Sequence, residues 1–99
     1  MANFLLTKKA VDDLSDIWNY TVDQWSEKQA DFYYQMLLDH CKEIAENPAL
    51  GKNYEGVVKL IFGHRAGRHI IFYRKLNVNE VEIARILHEQ MDLRNRIRE

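Results

Sequence analysis

The chain has 99 residues, 46% hydrophobic and 29% charged, with a net charge of −1, a balance that predicts one globular domain over residues 1–99 and excludes a disordered or multidomain protein. The single cysteine, Cys41, excludes an internal disulfide framework. The first residues lack a basic segment followed by an apolar one, and no apolar stretch approaches the ~18 residues of a membrane span, so a cytoplasmic location is expected.

Asn3 to Leu6 read as a short strand, and Thr7 stands where its hydroxyl can accept a first-turn N–H of a following helix. Ala10, Val11, Leu14, Ile17, Trp18, Thr21 and Trp25 follow the spacing of one helical face, predicting a helix that ends near Gln24 or Trp25. Asp12, Asp13 and Asp16 fall in its first half, where the helix dipole favours anions. Ser26 with Gln29 three residues on is a capping-box pattern. It opens a second helix with Ala30, Tyr33, Tyr34, Leu37, Leu38, Cys41, Ile44 and Ala45 as its stripe. Asn47-Pro48 ends it, because proline cannot continue the ladder. So short a junction makes an antiparallel helical hairpin.

After Pro48, Ala49 to Gly56 reads as a loop, and Val57 to Phe62 as an apolar β-branched strand. Ala66-Gly67 can make a tight hairpin turn into a strand over Ile70 to Tyr73. Asn77 to Glu80 is a second turn, Val81 to His88 a third strand of the meander, and Asp92 to Glu99 a short final helix. The order β-α-α-β-β-β with a helical tail predicts two layers, the hairpin covering the one large apolar face of an antiparallel sheet.

Charge is unevenly spread. Residues 10–55 carry a balance of −7, whereas residues 57–75 hold Lys59, Arg65, Arg68, Arg74 and Lys75 and no acid. Opposite charges on two segments suggest two partner surfaces.

The four histidines, His40, His64, His69 and His88, show neither Cys-x-x-Cys nor His-Glu-x-x-His spacing, so no metal or other cofactor is expected. Gly63 to Gly67 lacks the ending of a phosphate loop. Arg65, Arg68, Arg74, Arg85 and His88 fall on consecutive strands and suit anionic ligands. In a regular strand Arg85 shares a face with Ile83 and Leu87 while His88 shares one with Ala84 and Ile86, so the two serve one site only if a bulge or the strand end intervenes. On the hairpin, Trp18, Trp25, Phe32, Tyr33 and Tyr34 cannot all point at the sheet, and those left exposed mark a partner site.

The element order, the run Arg65-Ala66-Gly67-Arg68-His69-Ile70-Ile71-Phe72-Tyr73-Arg74 and the ending Ile86-Leu87-His88-Glu89-Gln90-Met91-Asp92 resemble the RelE/ParE toxin superfamily, and within it the ParE branch. The resemblance implies a non-enzymatic toxin of a type II toxin–antitoxin system that inhibits DNA gyrase by binding it. It implies a cognate ParD-like antitoxin, a higher-order toxin–antitoxin complex, and no sequence-specific DNA binding without the antitoxin. The expected target-binding residues are Arg65, Arg68, Arg74, Arg85, His88, Met91 and Arg94. Those expected to meet the antitoxin are Trp18, Trp25, Phe32, Tyr33, Arg68 and Arg74. The alternative is a ribosome-dependent mRNA endonuclease of the RelE type, which would use Arg65, Arg85 and His88. Two features favour gyrase: Tyr73 is the last tyrosine, so none stands near the C-terminus, and the net charge is not strongly basic.

Overall fold

Thr7 is the point at which a strand becomes a helix. In the computed structural model, which describes residues 2–53 and 60–90, β1 (Asn3–Leu6) runs directly into α1 (Lys8–Gln24). The Thr7 hydroxyl oxygen accepts the Ala10 N–H at 3.0 Å and donates its own proton to the Ala84 carbonyl at 2.8 Å. One side chain therefore caps a helix and ties it to a strand near the other end of the domain. Thr7→Ala should cost about 1–2 kcal/mol in chemical denaturation, and Thr7→Ser, which keeps the oxygen, should recover most of it.

Only Trp25 and Ser26 separate α1 from α2 (Glu27–Glu46). Ser26 caps the second helix by accepting the Gln29 N–H at 3.0 Å, as the sequence predicts. Pro48 then opens a single 3₁₀ turn, Pro48–Leu50. Leu14 of α1 and Leu37, Cys41, Ile44 and Ala45 of α2 pack on Ala66, Ile71, Tyr73, Val81, Ile83 and Ile86 of the sheet, flanked by Phe4 and Leu6. Each fully buried Leu or Ile there contributes about 1.5–3 kcal/mol.

The sheet departs from expectation in three ways. It has five strands among the described residues, in the order β1-β5-β4-β3-β2, with β2 at Lys52–Asn53, β3 at Phe62–Ala66, β4 at His69–Asn77 and β5 at Glu80–His88. First, it is mixed rather than antiparallel: β1 lies parallel to β5, Asn3 opposite Glu80 and Leu6 opposite Ile83. β5 is apolar on both faces and so suits a central position, while a four-residue strand carries no signal of which edge it joins. Second, the loop expected over 49–56 contains β2, a two-residue edge strand too short to show a period. Third, the strand placed over 57–62 starts only at Phe62 and continues to Ala66; residues 57–59 of that expectation, and the C-terminal helix, lie outside the described residues.

The sheet is also apolar on its outer side. Ile61, Ile70, Phe72 and Leu87 form a second buried cluster there, with Ala84 packed against it, so the face under the helices is not the single apolar one.

The β4–β5 ladder holds a bulge that decides where the functional side chains point. Phe72 is opposite Arg85, but Tyr73 is opposite Ile83, leaving Ala84 as the extra residue on β5. One added residue reverses the alternation beyond it. Val81, Ile83 and then Ile86 all face the helices, and Leu87 faces outward.

Candidate functional site

The β3–β4 turn is Gly67-Arg68. Gly67 has φ +62°, and a Cβ there would lie 2.8 Å from the Tyr33 hydroxyl, so both the backbone and the close approach of α2 require glycine. The Tyr33 oxygen accepts the Arg68 N–H at 3.0 Å and lies 2.7 Å from His69 Nδ1. The hydroxyl and Nδ1 share one hydrogen bond whose direction follows the His69 tautomer. The His69 ring meets His88 edge to face at 5.3 Å, and His88 Nδ1 accepts the Gln90 N–H at 3.1 Å. Beside them Arg68 accepts the Glu89 N–H at 3.0 Å through its carbonyl, and Arg65 pairs with Glu89 at 2.6 Å. Tyr33, Arg68, His69, His88 and Glu89 thus close one end of the sandwich.

Burial is the main force on the His69 pKa and the nearby His88 adds to it, lowering it to about 4. Burial likewise raises the Tyr33 hydroxyl, against an opposing hydrogen bond from Arg68, and lowers His64. A histidine with a depressed folded pKa is protonated first in the unfolded chain. Its contribution is therefore complete above about pH 6.5 and is lost as pH falls toward 4. Stability should drop between pH 7 and pH 4.5 by no more than about 2 kcal/mol from His69, allowing for its partial solvent access. Urea denaturation at the two pH values checks this, and His69→Gln should flatten the dependence.

The expected target-binding cations divide into two sets. Arg65 on β3 and Arg74 on β4 project from the outer face of the sheet, and Arg68 sits exposed in the turn. The pairs that Arg65 makes with Glu89 and Arg74 makes with Glu82, the latter at 3.7 Å, are exposed. Such pairs stabilise by about 0–1 kcal/mol, so an incoming phosphate or carboxylate can exchange with them. Arg85 is different. It stands opposite the outward-facing Phe72, yet its guanidinium reaches α1, where Nε and Nη2 donate to the two oxygens of Asp13 at 2.8 and 3.0 Å with both side chains nearly buried. The Ile86 N–H donates to the same carboxylate at 2.9 Å. His88, next to the outward Leu87, faces the helical side, so the bulge does not bring Arg85 and His88 to one face, and Arg65 stands on the outer face with Arg85. Met91 and Arg94 lie outside the described residues.

The expected antitoxin-facing aromatics also divide. Trp25 and Phe32 are exposed, at 77% and 70%. Trp18 is half-buried, its indole N–H donating to Asp31 at 2.9 Å, and lines a shallow groove between the helices with Ser15, Asn19, Asp31 and Tyr34. Tyr33 turns inward to the β3–β4 turn as described.

Compared with known proteins, residues 4–93 match the family described as ParE toxin of type II toxin-antitoxin system, parDE. The chain belongs to the ParE toxin family. It is 38% identical to Toxin ParE1 of Caulobacter vibrioides over 97 residues, covering 95% of this chain and 96% of that protein. It is 30% identical to Toxin ParE1 of Mycobacterium tuberculosis over 92 residues, covering 93% and 94%. A solved structure titled "Chromosomal ParDE TA system from P. aeruginosa" superposes with a TM-score of 0.75 at 20% identity, over 89% of this chain and 96% of that one; this likeness carries the fold. The expected α+β ParE architecture is thereby met, and the chain is a toxin of the ParDE type. No helix among the described residues of this ParE toxin is long and apolar enough to cross a membrane.

Sequence reasoning missed Asp13 as the partner of Arg85. The signal was available: Asp13 stands three residues from Ala10 and four from Ile17, inside the apolar stripe, where a carboxylate needs a buried cation. It also missed Glu89, which holds Arg65, and the Tyr33–His69 contact, for which one-dimensional spacing has no signature.

Proposed function

We propose that this ParE-family toxin acts in the cytoplasm by binding DNA gyrase and blocking supercoiling, without catalysing a reaction, and that a cognate ParD-like antitoxin neutralises it in a higher-order complex. Gyrase is the target implied by the ParE branch. The observation that carries the non-enzymatic reading is the separation of Arg65, Arg85 and His88. An RNA-cleaving site needs a base, an acid and a cation converging on one phosphate. Here Arg85 is held by Asp13 and Arg65 by Glu89, while His88 points to the helical side of the sheet and leans on a second histidine.

In this reading the exposed Arg65, Arg68 and Arg74 meet the acidic groups of a partner, and the exposed Trp25 and Phe32 meet the apolar side of the antitoxin, with Trp18 at the groove between the helices. His88, Met91 and Arg94 extend the target surface, and Tyr33 supports the turn that presents Arg68. Specific DNA binding belongs to the complex with the antitoxin.

The purified toxin should inhibit gyrase supercoiling and leave mRNA on translating ribosomes intact. Cleavage of mRNA at codon positions with supercoiling unaffected would select the RelE-type reading instead. Arg68→Glu with Arg74→Glu should lower gyrase or antitoxin affinity at least tenfold, and Trp25→Ser with Phe32→Ser should lower antitoxin affinity alone, both with unchanged folding.

A further inference from the structure

The spacing of the histidines gives no metal motif, yet the fold joins two of them. His40 and Glu43 stand one turn apart on α2, and His64 reaches them from β3. His40 Nδ1 lies 3.0 Å from His64 Nε2 and 3.8 Å from Glu43 Oε2. The three ligand atoms all fall within 4.8 Å of one another. This seam is separate from the His69–His88 pair at the end of the sandwich and takes no part in the reading above.

We propose that His40, Glu43 and His64 form a binding site for a divalent transition metal of the zinc class. Two imidazoles and one carboxylate are a ligand set for zinc or cobalt rather than for magnesium or calcium, which take oxygen. Ligand atoms around a tetrahedral zinc are about 3.3 Å apart, close to the two distances found, so small side-chain rotations bring the three atoms to one cation. The imidazoles already face each other nitrogen to nitrogen, an arrangement that shares one proton between two lone pairs. A metal engages both facing nitrogens once the donor imidazole carries its proton on its other ring nitrogen.

The surroundings fit an exchangeable site. The His40 side chain is 29% exposed and that of Glu43 60%, so an ion enters from solvent. His64 also borders a surface groove with Leu50, Lys52, Gly63 and Arg65. Three protein ligands leave a fourth position for water. Because α2 and β3 belong to different layers, the ion cross-links helix and sheet and binds the folded state alone, which makes stability respond to metal.

The test uses the full chain without a histidine tag, stripped with a chelator and titrated with Co²⁺ and then Zn²⁺. One equivalent of Co²⁺ should produce a visible ligand-field spectrum that Zn²⁺ bleaches. Zinc at a hundredfold its dissociation constant should raise Tm by on the order of 10 °C. His40→Gln and Glu43→Gln, on the accessible side of α2, should weaken binding at least tenfold, and His64→Gln should abolish it. His88→Gln should leave it intact. No spectrum with the wild-type chain, or binding that survives His40→Gln and Glu43→Gln in variants whose circular dichroism matches wild type, would overturn the site. None of these readouts depends on gyrase, so failure here and failure of the proposed function are distinguishable.

Discussion

Asp13→Ala should remove about 3–5 kcal/mol of folding stability, a large part of the 5–15 kcal/mol typical of a small domain. Asp13 accepts two hydrogen bonds from Arg85 and one from the Ile86 N–H. Its removal takes the Asp13 carboxylate from a nearly buried guanidinium and takes away the partner of a backbone donor just past the bulge. The loss of charge balance dominates, because a surface pair of the Arg74–Glu82 kind is worth about 1 kcal/mol or less. Urea denaturation measures the effect as a fall in midpoint at constant m-value. Arg85→Met combined with Asp13→Leu should be far less harmful than Asp13→Ala, since the double change removes both charges and keeps the volume. A cost under 1 kcal/mol for Asp13→Ala would mean that water screens the pair.

Gly51→Ala should cost about 2–4 kcal/mol. The added methyl carbon would stand 2.4 Å from the Tyr73 hydroxyl and 2.8–2.9 Å from two of its ring carbons. Tyr73 cannot yield: it is fully buried, its ring stacks against Phe62, its hydroxyl donates to the Pro48 carbonyl, and its oxygen accepts the Gly51 N–H at 2.9 Å. These bonds fasten the chain leaving α2 onto the middle of the sheet. Since the closest atom is the hydroxyl oxygen, Tyr73→Phe should relieve part of the clash. The double variant should therefore lose less than the sum of the two single losses, a non-additivity that thermal or urea denaturation can resolve.

The helices were legible in the sequence because their signals are local. Thr7 and Ser26 cap as their side-chain chemistry requires, Pro48 terminates, and the stripe from Ala30 to Ala45 keeps one phase. Gly67 was equally readable, since a two-residue turn needs a positive φ. The parallel pairing of β1 was not, because edge choice depends on contacts far apart in the chain. The candidate site was half legible. Arg65, Arg68 and Arg74 reach the solvent as their charge suggests, but Arg85 is drawn to Asp13 on α1, a partner far away in the chain that no periodic rule reveals. Among the aromatics, Phe32 and Tyr33 are neighbours with opposite fates, one in solvent and one under the β3–β4 turn, because consecutive helical positions point about 100° apart. The histidine seam was invisible for the same reason as the parallel strand. His40 and His64 are 24 residues apart, and only the packing of layers makes them neighbours.

The adjacency of β1 and β5 also orders events during synthesis. The N-terminal strand leaves the ribosome first, but the strand that holds it on one side, by backbone bonds from Asn3 to Asn79 and from Thr7 to Ile83, is translated more than seventy residues later. At common elongation rates the interval is roughly 4–15 s. Throughout it the nascent chain has helices whose apolar stripe lacks the centre of its sheet. A chain that has not yet reached Glu80 therefore lacks the strand that joins β1 to β4, and the order of the strands makes the centre of the sheet the last part to close.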